Sequence, residues 1–210
     1  MRFAALMTVT AALLLIALPV RPAHSQDEDV PVGHFKIANP ASLDKAQAEA
    51  IYQRVSEQMA RGYRVSRRME ANEYTEWTRY NNAPYISATH GARYVSNYAN
   101  AKAKAYAKFE QAGTFPVGAI IAKDSFTATD DGQLHAGPLF TMEKMPAGFN
   151  PASGDWKYVM IMPDGSFFGE TNGEGSENVR FCIGCHAAME DQDHLFFIPD
   201  EYRQAQLAVD

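Results

Sequence analysis

The chain has 210 residues, with 19 basic against 25 acidic side chains and a formal charge of −6 at neutral pH. That balance excludes the basic footprint of a nucleic-acid binder, and 46 % hydrophobic residues supply a core for one domain. An acidic surface suits a basic docking partner, which bears on encounter and not on chemistry.

Residues 1–25 read as a secretory signal. Arg2 is followed by an apolar run from Phe3 to Val20, broken only by Thr8, Thr10 and Pro19, and then by Ala23-His24-Ser25. The small-x-small pattern predicts cleavage before Gln26 and a periplasmic location. Pro19 and Pro22 interrupt the end of the run and argue against an uncleaved anchor. Loss of Arg2 and Arg21 takes the mature chain to about −8. Residues 26–41, with Gln26-Asp27-Glu28-Asp29 and breaks at Pro31, Gly33 and Pro40, read as a flexible leader. Residues 42–210 are expected to form a single domain.

Apolar residues at Leu43, Ala46, Ala50, Ile51, Val55 and Met59 predict an amphipathic helix from Leu43 to Arg61, with Ser42 as N-cap and Gly62 as its stop. A shorter helix is predicted from Met69 to Arg79. A third should run from Asn100 through an alanine-rich stretch to Gly113. Segments 84–95, 117–129, 137–145, 156–163 and 166–170 are short, rich in β-branched and aromatic residues, and separated by Gly, Pro, Asp and Asn. They read as strands. Asp130-Asp131-Gly132 and Pro163-Asp164-Gly165 read as hairpin turns, so neighbouring strands should be antiparallel. The fold class is therefore α+β, mainly antiparallel sheet with flanking helices.

The chemistry sits near the C-terminus, at Cys182-Ile183-Gly184-Cys185-His186. Haem c attachment needs two thiols one helical turn apart for two vinyl groups, and an imidazole directly after them to ligate iron from the same side. These are the chain's only cysteines. A Cys182–Cys185 disulfide would close a very short ring and give His186 no role. A thioredoxin-like pair belongs at a helix start in a βαβ unit, and zinc would require awkward joint ligation by adjacent Cys185 and His186. Haem accounts for all three residues. Phe126, Phe140, Phe167, Phe168, Phe196 and Phe197 are candidates for the walls of its slot. No clear sixth ligand emerges: Met189 is too close to His186 in sequence, and Met142, Met145, Met160 and Met162 alternate like core residues. His90, His135 and His194 remain as alternatives. An open iron site is expected.

These residues give the chain a resemblance to the cytochrome P-460 family and its relative cytochrome c′-beta, exported β-rich monohaem cytochromes. It spans about Tyr74 to Tyr202. It rests on the segment Tyr106 to Phe115, the strand Val117 to Lys123, Gly154-Asp155-Trp156-Lys157-Tyr158, and the terminal Cys182–His186 motif. The resemblance implies haem c held by Cys182 and Cys185, His186 as iron ligand, and an additional bond from Lys123 to the haem edge. It also implies Glu143 and Arg93 as polar groups over the iron, although both need a gap in the alignment. Activity on hydroxylamine or nitric oxide, with electrons passed to a redox partner protein, is the function so implied; a non-enzymatic nitric oxide or carbon monoxide binder and a simple electron carrier are the alternatives. A homodimer is compatible with the resemblance. The helix expected over residues 42–62 is longer than the family leads one to expect.

Overall fold

The computed structural model describes residues 40–205, all within one compact unit. The expected signal peptide, and nearly all of the leader, lie outside the described residues. Among those described, no helix is long and apolar enough to cross a membrane.

Helix α1 spans Lys45–Arg64. It starts later than Ser42 predicts because Asp44 builds a capping box: its carboxylate accepts from Gln47 N at 2.8 Å, and Gln47 Oε1 accepts from Asp44 N at 3.0 Å. Nor does Gly62 stop it. A Cβ there would lie 2.0 Å from the carbonyl oxygen of Pro163, so this glycine seats a hairpin turn against the helix. The buried stripe is Ala48, Tyr52, Met59, Ala60 and Tyr63, while Ala46 and Ala50 face solvent. Tyrosines, more than alanines, make the contact.

The second predicted helix is cut short. Helix α2 covers Met69–Glu73, a 3-10 turn follows over Tyr74–Glu76, and the chain then extends into strand β1, Thr78–Arg79. The tertiary pairing of Arg79 with Tyr98 overrides the helical pattern at that end. The alanine-rich stretch Ala101–Gln111 is a kinked 3-10 segment, capped as expected by Asn100, whose Oδ1 accepts from Ala103 N at 3.0 Å.

Seven further strands follow: β2 Tyr85–Ser87, β3 Arg93–Ala99, β4 Ile120–Ala128, β5 Leu134–Ala136, β6 Leu139–Lys144, β7 Trp156–Ile161 and β8 Phe167–Glu170. They form one antiparallel sheet in the order β1-β3-β4-β6-β7-β8, with β2 also on β3 and β5 also on β4. Both predicted turns close hairpins, Asp130–Gly132 between β4 and β5 and Pro163–Gly165 between β7 and β8. Asp130–Gly132 is closed by Thr129 N donating to Gln133 O.

Every residue of β3 and β4 is buried, which a half-solvated sheet would not give. The cause is cover on both sides. Tyr94, Tyr98, Ala122, Phe126, Leu139 and Val159 pack with α1 on one face. Val95, Ala99, Ile121, Met142, Trp156 and Tyr158 pack on the other, against the 101–112 segment and the C-terminal residues. Helix α1 thus closes the sheet's back and leaves the opposite face to build a site.

Candidate functional site

Helix α3, Arg180–His186, carries the whole Cys182–His186 motif after β8 and a 3-10 turn. Its two thiols are free and half-buried, and His186 is buried. Burial pushes the Cys182 thiol up to about 12, so it stays protonated. No cluster of three or more His, Cys, Asp or Glu able to hold a metal ion occurs among the described residues.

The three motif side chains open onto a cleft whose empty space, counted out into open solvent, is about 540 Å³. Two cross-strand rows make its floor. Ile121, Met142 and Tyr158 are register partners in one; Lys123 and Phe140 are partners in the next. Thr89 and His90, from a 3-10 turn after β2, line another wall.

His186 is set as a metal ligand would be. Its Nδ1 bonds the carbonyl oxygen of His194 at 2.6 Å, which places the proton on Nδ1 and leaves Nε2 as the coordinating nitrogen. The Tyr158 ring at 5.0 Å and the Phe196 ring at 5.3 Å hold the imidazole plane. The His194 carbonyl is aimed by two successive left-handed residues, Asp193 (φ 53°) and His194 (φ 63°). Asp193 is locked in turn. Its carboxylate accepts from Lys144 Nζ at 2.5 Å and from Phe115 N at 2.8 Å, and its carbonyl accepts from Trp156 Nε1 at 2.8 Å.

Lys123 is 9 % exposed and lines the cleft together with Cys185. Burial lowers its pKa to about 8, opposed by the Cys185 thiol. No ion pair or hydrogen bond engages its ammonium group among the described residues. A buried lysine without a counter-charge is costly as a cation and is for that reason a readier nucleophile as an amine.

The other two polar residues expected over the iron fall elsewhere. Glu143 is in register with Ile120 and Lys157, out of phase with Phe140 and Met142, and so on the opposite face of the sheet. It forms an ion pair with Lys157 at 2.6 Å and does not line the cleft. Arg93 shares the face of Val95 and Lys123 but does not line the cleft either. It is 4 % exposed, packs beside Gly137, and donates from Nη1 to the carbonyl of His90 at 3.2 Å. Its place is behind the Thr89–His90 turn. Of the candidate wall phenylalanines, Phe140 and Phe196 meet the site, whereas Phe126 and Phe167 belong to the α1 side. Tyr158, Asp193 and the His194 carbonyl were not foreseen. Only Tyr158 carried a signal, its alternation with Trp156 along β7.

Two thiols and an imidazole on one helix, the carbonyl behind that imidazole, and an aromatic-lined cleft in front of it together fit haem c. Cys182 and Cys185 would hold the group, and His186 would ligate its iron. When bound, it supplies an iron that exchanges single electrons and binds small ligands. The class is that of a monohaem c-type cytochrome. The sequence model of the Cytochrome P460 family matches residues 71–197, from α2 to the strands and the haem motif, and the chain belongs to that family. Helix α1 precedes the matched span. A search of curated proteins finds no match.

Proposed function

We propose that the protein is a periplasmic oxidoreductase that binds hydroxylamine or nitric oxide at an open haem iron, oxidises it, and passes the electrons to another cytochrome. The observation that carries this reading is Lys123: a buried amine with no hydrogen-bond or ion-pair partner among the described residues, in the cleft of Cys182, Cys185 and His186. A bond from its nitrogen to a haem edge carbon would replace one N–H and one C–H, with two electrons and two protons passing to an oxidant of the peroxide class, and would give the protein a further lever on iron reactivity. Glu143 has no part in this account, because a carboxylate on the far face of the sheet cannot take a proton from a ligand in the cleft.

Steady-state oxidation of hydroxylamine with an artificial electron acceptor tests the reading. Turnover by the haem-loaded protein is expected, and its absence from a fully loaded preparation would overturn the enzyme assignment. A second reading, a nitric oxide or carbon monoxide binder without the lysine bond, is favoured by the apolar cover of Phe140 and Met142 in the same cleft. On that reading, Lys123→Leu leaves the haem spectrum unchanged.

A further inference from the structure

Behind the floor of the cleft lies a buried carboxylate that the haem reading leaves without a task. Lys123 lines the cleft, and the next residue of β4, Asp124, turns to the other face of the sheet, one peptide away. Asp124 is 1 % exposed, and tyrosines from three elements gather round it. Tyr52 donates to its Oδ2 at 2.7 Å and Tyr74 at 3.3 Å, while Tyr98 shares a hydrogen bond with the Tyr52 hydroxyl. The Tyr74 ring meets those of Tyr98 at 5.3 Å and Tyr63 at 6.1 Å, both edge-on. Arg79, the cation that acts on the carboxylate, is bidentate on Glu49 at 2.7 and 2.9 Å and lies over the Tyr52 ring.

As core packing this arrangement is expensive, because a carboxylate and three hydroxyls buried together stabilise a core less than apolar side chains of the same volume. Other buried phenols are placed differently. Tyr158, in the cleft itself, has no hydrogen-bond partner for its hydroxyl among the described residues, and Tyr85 and Tyr106 bond the Asn97 amide, which is not a base. A phenol gives up an electron readily only when its proton has somewhere to go, and Tyr52 has a carboxylate oxygen within proton-transfer distance. Tyr52 also lines a groove open to solvent, with Ser56, Glu57 and Arg64 of α1 and Tyr98 of β3. Its helix precedes the span that the family model matches.

We propose that Tyr52, with Asp124 Oδ2 as its proton acceptor, is a one-electron donor to the cleft and drains oxidising equivalents delivered there by peroxides. This rests on the haem reading above. Tyr52 gives an electron across β4 and its phenolic proton to Asp124, which leaves a neutral phenoxyl. A reductant of the ascorbate class, entering by the groove, returns the electron, and Asp124 returns the proton. Two such rounds supply the two electrons that take hydrogen peroxide to two waters, and the two protons consumed come from solvent. Tyr74, farther from the same oxygen, is the reserve donor.

The test uses the haem-loaded protein at pH 8, where the Asp124 carboxyl, pushed up to about 7 by burial, is ionised. Hydrogen peroxide is mixed in without a reductant and the reaction is frozen early. Wild type should show a tyrosyl radical by electron paramagnetic resonance, with a narrower line when the protein carries ring-deuterated tyrosine. Ascorbate should abolish the signal and slow bleaching of the haem absorbance. Tyr52→Phe/Tyr74→Phe should lose the signal and bleach several-fold faster. Asp124→Asn, which keeps both phenols and removes the base, should form the radical more slowly by about a hundredfold or more, the worth of a positioned base. Tyr94→Phe, on the same face but bonded to the Ala41 carbonyl, should match wild type. A radical of wild-type intensity in the double variant, a signal that Tyr158→Phe removes, or no radical in a wild type with a normal pyridine haemochrome would each overturn the proposal. If Asp124→Asn fails to fold, the double variant decides alone, since it deletes two hydroxyls and keeps both rings. A wild type without covalent haem by its haemochrome overturns the haem reading itself, and this proposal with it.

Discussion

Replacing Asp193 by alanine removes the carboxylate that fixes the loop behind His186. The side chains of Asp193 and Lys144 are only 9 % and 11 % exposed, and their ion pair is 2.5 Å long. Deleting one partner of a buried pair costs about 3–5 kcal/mol, because the other charge is left in a poor solvent. Here Lys144 Nζ keeps its bond to the Gly154 carbonyl at 2.8 Å, while Phe115 N loses its acceptor. The first effect pulls the figure towards the low end and the second raises it, which gives about 3 kcal/mol. Urea denaturation of the holoprotein at pH 7 should show a lower midpoint with the same slope. The double variant Lys144→Met/Asp193→Leu should recover more than half of the loss, because an apolar pair leaves no stranded charge. A loss below about 1 kcal/mol for Asp193→Ala, or a double variant no more stable than the single one, would refute this account of the latch.

Three other substitutions probe the frame. Gly62→Ala, normally worth up to about 1 kcal/mol of stabilisation inside a helix, should instead destabilise by about 2 kcal/mol or more, because its Cβ would meet the Pro163 backbone oxygen at 2.0 Å; a raised melting temperature would contradict the seating of the hairpin. Asn100→Ala should cost about 1–2 kcal/mol in urea denaturation, since Oδ1 accepts from both Ala103 N and Ile120 N; a neutral result would deny it the double role. Asp124, buried behind Lys123 and receiving bonds from Tyr52 at 2.7 Å and Tyr74 at 3.3 Å, has its carboxyl pushed up to about 7 by burial. The folded state therefore binds this proton more tightly than the unfolded chain, whose aspartate titrates near ~3.9. Its contribution to stability is complete below about pH 4 and lost as pH rises through about 7. Urea midpoints between pH 5 and 7.5 should fall in the wild type and flatten in Asp124→Asn; equal slopes would remove Asp124 as the cause.

What the sequence disclosed depended on whether a signal was local. Cys182, Cys185 and His186 need only their spacing and were legible before any fold was known, whereas Lys123 was singled out by the family resemblance and the structure places it in the same cleft. Four of the five predicted strand segments were legible for the same reason, with apolar and aromatic runs cut by turn residues, whereas 84–95 is broken by the 3-10 turn Ala88–His90 into β2 and the start of β3, which runs on to Ala99. Glu143 failed on phase: an alignment gap shifts a strand residue by one, and one residue moves it to the other face. Arg93 was assigned the right face, but its side chain is spent on the turn that carries His90. Gly62 read as a stop because a glycine's close-approach role depends on a partner a hundred residues away. The Asp193–His194 carbonyl arrangement had no sequence signal, since left-handed non-glycine residues are imposed by Lys144, Trp156 and Phe115 from other elements.

The central claim, that Lys123 is placed to bond the haem, is tested most directly by the visible spectrum of the dithionite-reduced holoprotein beside that of Lys123→Leu. The account predicts a strongly red-shifted ferrous Soret band in the wild type that returns to an ordinary c-type position in the variant. An ordinary band in both proteins would contradict it.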